Sequence, residues 1–269
     1  DLGMNIDVIL MGSSHMEALQ LMQADNCANI LAALSGKKVY NAAIRGHDFT
    51  NCAGHFENAL KKYRPSKFAV IETMIINFSD EELNQILQHK VASKNKTFSQ
   101  ENIRADGLRG FYAKYLREFI HKNFFPIFSM IVGRVKNLFP CENVNINSVK
   151  PVSSNNPVLL SKVLKRMSET VKNFGAKLII AYHPLVELEN DGSLKILGDD
   201  KAVKVFAEAC KENGIYFIDM SERFLSEYKK NYTVPNGFFN TSIASGHMNK
   251  YGHRMLAEEI YKLMQKIEK

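Results

Sequence analysis

Short apolar runs alternate along the chain with stretches of helical periodicity. Five runs predict buried strands, at residues 7–11, 38–43, 68–72, 177–182 and 215–219. Helices are predicted among them, at residues 15–24, 48–63, 158–174, 200–213 and 249–268. Such alternation is typical of βαβ units, whose parallel strands form a sheet covered on both faces. The pattern therefore predicts one α/β domain over residues 1–269, a three-layer α/β/α sandwich around a central parallel five-stranded sheet.

Residues 80–157 interrupt this alternation. The segment is polar at its beginning and rich in Asn, Ser and Pro at its end. Between these parts, apolar residues fall on one helical face within 108–120 and again within 128–139. Two amphipathic helices inserted between strands predict a helical cap or a hairpin that docks on a surface.

The formal net charge of +7 is concentrated in the same part of the chain. Residues 90–140 contain ten Lys or Arg residues and three acids, so the remainder is close to neutral. Basic amphipathic helices bind anionic surfaces by apolar insertion and charge attraction. Residues 108–139 therefore predict contact with an anionic membrane or wall polymer, the alternative being an ordinary solvated face on a structural cap. No nucleic-acid-binding motif accompanies the charge, so no nucleic-acid partner is expected.

The composition is that of a globular protein, with 45% apolar and 23% charged residues. No apolar run is long enough to predict a membrane span. Four cysteines form no C-x-x-C pair, which favours core thiols or one disulfide over a metal framework: Cys27, Cys52, Cys141 and Cys210. Because the chain begins at Asp1, we expect that a signal peptide, an anchor or a tag preceded it.

A motif of small polar residues, Gly12-Ser13-Ser14-His15, follows the first predicted strand. A serine at this point stands at the carboxyl edge of the sheet, near helix N-terminal amides that stabilise a developing negative charge. Open α/β sheets carry their ligand sites at that edge. The motif therefore favours a nucleophile, and the alternative is a helix cap.

A second motif, Ser245-Gly-His247-Met-Asn249, precedes the last predicted helix. Asn249 is a natural N-cap, which places His247 on the loop just before the helix. From such a loop an imidazole can reach a hydroxyl on another element and act as its general base. The alternative is a surface histidine.

Together the two motifs resemble the SGNH/GDSL hydrolase family. Residues 12–15 are similar to its first block, Gly-Asp-Ser-Leu, which implies that Ser14 is the nucleophile and that Ser13 replaces the Asp. Residues 41–46 resemble the second block and imply an oxyanion-hole amide at Gly46. Residues 247–253 resemble the last block and imply that His247 is the base. The resemblance also implies the flavodoxin-like SGNH fold, without a cofactor or a metal.

Two blocks depart from the family. An Asp normally lies three residues before the catalytic histidine and orients it, whereas this chain has Ala244 and no acid nearby. Either a backbone carbonyl orients His247 in a Ser–His dyad, or a carboxylate arrives from elsewhere. The third block, normally Gly-x-Asn-Asp, is degraded, and Asn77 stands one residue late. We take Asn77 as an oxyanion donor, with Thr73 or a two-donor hole as alternatives.

Other polar residues lie near the predicted sheet edge. His183 follows the fourth strand, where substrate contact and loop packing are equal alternatives. His47 and Asp48 follow the oxyanion glycine and would line the pocket, although Asp48 is also a plausible helix cap. We expect His253 to pack in the first turn of the last helix and not to bind a metal.

Two further residues lie near the predicted site. His15 is expected to point away from the site. Glu72 ends the third predicted strand, where a buried acid is an alternative partner for His247.

The resemblance implies a serine-dependent esterase or O-acyltransferase that forms an acyl-enzyme on a short-chain, acetyl ester. Members with similar end motifs are bacterial proteins that act on surface glycans or lipids. This implies a saccharide or cell-surface polymer as substrate and an extracytoplasmic ectodomain of a secreted or anchored protein. Transfer or hydrolysis depends on how well water is excluded. The alternative, a non-catalytic glycan- or surface-binding module of the same fold, is favoured by the missing Asp.

Overall fold

The computed structural model of the protein describes residues 6–88, 156–238 and 244–269. Its strands are β1 (Val8–Met11), β2 (Val39–Asn41), β3 (Phe68–Thr73), β4 (Lys177–Tyr182), β5 (Leu185–Leu188), β6 (Leu194–Leu197) and β7 (Tyr216–Asp219). Five of them form one sheet in the order β2-β1-β3-β4-β7, with every neighbouring pair parallel. β5 and β6 form a separate antiparallel hairpin.

Eight α-helices accompany these strands in the described ranges. They are α1 (Ser14–Glu17), α2 (Cys27–Ser35), α3 (Phe49–Tyr63), α4 (Asp80–Leu87), α5 (Pro157–Lys172), α6 (Asp200–Glu212), α7 (Ser221–Asn231) and α8 (Lys250–Glu268). Side-chain caps fix several helix starts. Asn249, for example, accepts from Tyr251 N–H at 3.0 Å and from Gly252 N–H at 3.2 Å, as its predicted N-cap role requires. None of the described helices is both long and apolar enough to span a membrane.

Strand side chains alternate between two apolar cores, one on each face of the sheet. Ile9 and Ile71 lie in the core that also contains Phe49, Leu164 and Phe206 from α3, α5 and α6. The opposite face contributes a second group, which packs against α2, α7 and α8: Val8, Leu10, Val70 and Ile179. The predicted three-layer α/β/α sandwich around a parallel five-stranded sheet is therefore confirmed.

The predicted helix over residues 15–24 is wrong. α1 has only one turn, because Ala18 adopts a left-handed conformation with a φ of 58° and its N–H bonds back to Ser14 O. A short 3-10 turn, Gln23–Asp25, follows it. Helices α2 and α7 and the β5–β6 hairpin are additions that the periodicity did not predict.

Some predictions fall outside the described residues. Residues 89–155 include both predicted amphipathic faces and Cys141, so the cap or docking hairpin stays a prediction. At the flanks of that segment lie α4 and the start of α5. The other three cysteines are buried free thiols, as expected for core residues: Cys27, Cys52 and Cys210.

Candidate active site

The fold brings the two motifs into direct contact. Ser14 Oγ and His247 Nε2 are 2.9 Å apart, although 233 positions separate them in the sequence. Ser14 opens α1 immediately beyond the carboxyl end of β1, and His247 lies on the loop that precedes α8. Both side chains are only partly buried. The contact is a hydrogen bond of the length expected between a hydroxyl nucleophile and its general base.

A buried carboxylate holds the turn that carries Ser14. Ser13 N–H donates to Glu72 Oε2 at 2.7 Å, and Ser13 Oγ donates to the same oxygen at 3.0 Å. Ser13 Oγ also accepts from His15 N–H at 3.1 Å and so caps α1. A Cβ atom added at Gly12 would lie 2.3 Å from Glu72 Oε2, so only glycine allows this close approach.

Glu72 also binds His183. Glu72 Oε1 and His183 Nε2 are 2.5 Å apart, and both side chains are fully buried. Burial raises the pKa of Glu72, but the charge and hydrogen bond of His183, with the Ser13 N–H, outweigh it and hold the pKa below its usual value. The His183 ring has no exposed surface, which favours loop packing over substrate contact, the two equal alternatives that the sequence left open. Glu72 therefore anchors Ser13 and His183, and not His247.

The sequence suggested that His15 points away from the site, but in the structure it lies beside His247. Its ring centroid lies 4.8 Å from that of His247 and 5.1 Å from that of His183. Met248 N–H donates to His15 Nδ1 at 3.2 Å. Burial, together with His183 and His247, lowers the pKa of His15 to about 3, although the charge of Glu72 opposes this shift. His15 is therefore a neutral acceptor at ordinary pH.

His253 is a buried structural residue, as expected. Its Nδ1 accepts from Cys27 N–H at 3.2 Å and thereby ties α8 to the start of α2. Burial and the nearby His183 lower its pKa to about 4.

Comparison with solved structures shows which fold this chain shares. The acetyl xylan esterase AlAXEase is 13% identical, aligns over 95% of this chain and 98% of its own, and gives a TM-score of 0.50. The Bacillus subtilis protein YxiM is 12% identical over 98% of this chain and 57% of its own, with a TM-score of 0.51. A Slackia heliotrinireducens protein assigned to the SGNH hydrolases is 12% identical over 97% and 99%, with a TM-score of 0.48. The chain has the SGNH hydrolase fold. Its sequence matches no protein-family model and no curated protein.

The second SGNH-like block lies beside the nucleophile turn. Ile44 N–H donates to Gly12 O at 3.1 Å, and His47 N–H donates to Ile44 O at 3.1 Å. This turn contains Gly46, whose φ of 77° is readily adopted only by glycine. The structure thus places Gly46 at the edge of the sheet that carries Ser14, and its role as an oxyanion donor stays a prediction.

The remaining candidates separate into different environments. Asn77 lies on the loop after β3, and its Oδ1 is buried without a hydrogen-bond partner within the described ranges. Thr73 Oγ1 is occupied in its own loop, since it donates to Ile75 O at 2.6 Å and accepts from Ile75 N–H at 3.1 Å. His47 stacks on His55 at 5.9 Å, and Asp48 caps α3. Because the Thr73 hydroxyl already donates within its own loop, Thr73 is disfavoured as the oxyanion donor, and the role of Asn77 stays a prediction.

Backbone hydrogen bonds hold the loop that carries His247. His247 O accepts from Gly237 N–H at 3.0 Å, and Asn249 N–H donates to Pro235 O at 2.8 Å. Ala244, at the position where the SGNH family has its orienting Asp, is buried with a φ of 63°. Among the described residues, no carboxylate forms a hydrogen bond or ion pair with His247.

Proposed function

We propose that the protein is a serine esterase in which Ser14 is the nucleophile and His247 is the general base. The 2.9 Å hydrogen bond between Ser14 Oγ and His247 Nε2, at the carboxyl edge of an SGNH-type sheet, carries the proposal. His247 takes the hydroxyl proton as Ser14 Oγ bonds to the ester carbonyl carbon. The same proton then passes to the leaving alcohol, which departs and leaves an acyl-enzyme.

The second half of the reaction uses the same groups. His247 removes a proton from water or from an acceptor hydroxyl, which attacks the acyl carbon and releases Ser14. We assign stabilisation of the oxyanion to the Gly46 N–H and the Asn77 amide, because both belong to loops at this edge.

We propose a short-chain acyl ester of a saccharide or cell-surface polymer as the substrate class. The likeness in fold to an acetyl xylan esterase supports this class without identifying the acceptor. Acyl transfer, an extracytoplasmic location and contact of residues 108–139 with an anionic surface are further parts of the proposal.

Reaction with a fluorophosphonate probe tests the nucleophile. We expect one probe per chain, found at Ser14 by peptide mass spectrometry, with parallel hydrolysis of p-nitrophenyl acetate. Ser14→Ala should abolish labelling and hydrolysis and leave the circular dichroism spectrum unchanged. Ser13→Ala is the matched control and should still be labelled, since the Ser13 N–H bond to Glu72 does not need its hydroxyl. A wild-type protein that is neither labelled nor active would favour the non-catalytic binding module.

Restoring the family's acid at position 244 tests the dyad. An Asp tolerates the left-handed backbone there better than alanine and would stabilise the imidazolium of His247. We expect Ala244→Asp to raise kcat by about tenfold, a small part of what an orienting Asp contributes in other serine enzymes. Ala244→Asn, of the same shape without charge, is the control. An equal gain in both variants would show relief of backbone strain and no role for the charge.

A further inference from the structure

Among the residues that the structure describes, no carboxylate orients the base of the proposed dyad. Position 244 holds a buried alanine, and Glu72, the buried acid at this edge, is bonded to Ser13 and His183. Yet His247 lies at hydrogen-bond distance from Ser14. An imidazole on a loop can rotate about its side-chain bonds, so some contact must favour this orientation.

His15 is the residue that touches both halves of the site. It is the residue next to Ser14 in α1, and its ring packs against the His247 ring with an interplanar angle of 32°. Its Nδ1 accepts from the N–H of Met248, the residue next to His247. His15 thus connects the nucleophile turn to the backbone and the ring of the base.

His15 is itself held by several contacts. Its own N–H donates to Ser13 Oγ, and its ring also packs against that of His183, with the ring centroids 5.1 Å apart. His183 is fixed by Glu72, which also binds Ser13. Only 6% of the His15 surface is exposed. A side chain fixed in this way can transmit the rigidity of the sheet to a loop residue.

We propose that His15 is the positioning residue of His247, and that its ring, packed at a tilt against the imidazole, takes over the orienting part that an acid three residues before the base plays in SGNH hydrolases. The inference rests on the proposed function. His15 transfers no proton and touches no reacting atom. Its ring limits the rotation of the His247 imidazole, and its Nδ1 fixes the backbone immediately after it. The line of side chains from Glu72 through His183 and His15 thereby ends at the base.

Two substitutions of His15 distinguish the effect of its ring from the effect of its Nδ1 acceptor. His15→Asn keeps an oxygen that can accept from Met248 N–H but removes the ring that packs against His247. We expect it to lower kcat for p-nitrophenyl acetate, and the rate of fluorophosphonate labelling, by about a hundredfold with KM unchanged. His15→Phe keeps a ring against His247 and loses the acceptor. We expect it to lose no more than about tenfold in kcat while its thermal midpoint falls.

The outcomes are distinct. Wild-type kcat in His15→Asn, or an equal loss of kcat in both variants, would overturn the positioning role of the ring. If His15→Asn does not fold, His15→Phe and His15→Leu give the same comparison, because both lose the acceptor and only one keeps a ring. The wild type is labelled first. If the wild type is not labelled, the proposed serine esterase is contradicted. If the wild type is labelled and His15→Asn is labelled at the same rate, only the inference about His15 is contradicted.

Discussion

Replacing His247 by alanine is expected to lower kcat/KM on a soluble ester by about 10⁴-fold or more, the range found when a serine enzyme loses its base. Without the imidazole, the Ser14 hydroxyl keeps its proton and is a poor nucleophile at neutral pH. The fold should persist, because the His247 side chain is only partly buried and Ser14 Oγ is its one hydrogen-bond partner in the described structure. Steady-state hydrolysis of p-nitrophenyl acetate and the rate of fluorophosphonate labelling measure the effect.

His253→Ala is the matched control for this experiment. His253 belongs to the same motif and lies six positions later, but its ring is buried and accepts from Cys27 N–H on α2. Its loss should lower the free energy of unfolding and leave kcat of the folded protein close to that of the wild type. A comparable loss of kcat in both variants would argue against a single base and in favour of shared chemistry, such as a metal site.

The strands and the Ser14–His247 pair were predictable because each depends on a local pattern. Apolar runs of four to six residues mark the strands, and the strand-glycine-serine and histidine-before-helix patterns mark the ends of two elements. Parallel topology then brings the carboxyl ends of the strands to one edge. The local patterns therefore place Ser14 and His247 at one edge of the sheet, and the resemblance to the SGNH family supplies their proposed roles.

The supporting residues were harder to predict because their partners are distant in the sequence. Glu72 binds Ser13 across 59 positions and His183 across 111. The available signal was an acid at the end of an otherwise apolar strand, which predicts a buried and therefore paired carboxylate. It does not say which residue is the partner.

The helix over residues 15–24 was mispredicted for a local reason. A helix over residues 15–24 would have carried the chain onward in a regular path, but α1 ends after one turn at Ala18. No glycine, asparagine or proline marks this stop, so periodicity alone could not find it. The direction of His15 was mispredicted for another reason, because its ring packs against His183 and His247, which are distant in the sequence.

Acid is expected to destabilise the protein through two buried histidines. The pKa of His15 is about 3 and that of His253 about 4 in the folded protein, against 6.5 for an unperturbed histidine. At a pH between the folded pKa of each histidine and 6.5, the unfolded chain binds a proton that the folded protein excludes, so protonation favours unfolding. The contribution of each residue is complete above about pH 6.5 and is lost as the pH falls toward its folded value. From about pH 7.5 to about pH 4.5, each should remove about 2 to 3 kcal/mol from the free energy of unfolding.

Urea denaturation at those two pH values measures this loss, and His253→Asn assigns a share of it to one residue. Asn offers an oxygen in place of Nδ1 for the Cys27 N–H, but it does not titrate. The variant should therefore lose about 2 kcal/mol less than the wild type on acidification, even if it is less stable at neutral pH. Such a difference would show that the His253 imidazole is uncharged in the folded protein over this pH range. An identical acid dependence in both proteins would instead place the titrating groups elsewhere, because a residue that is absent cannot contribute to proton linkage.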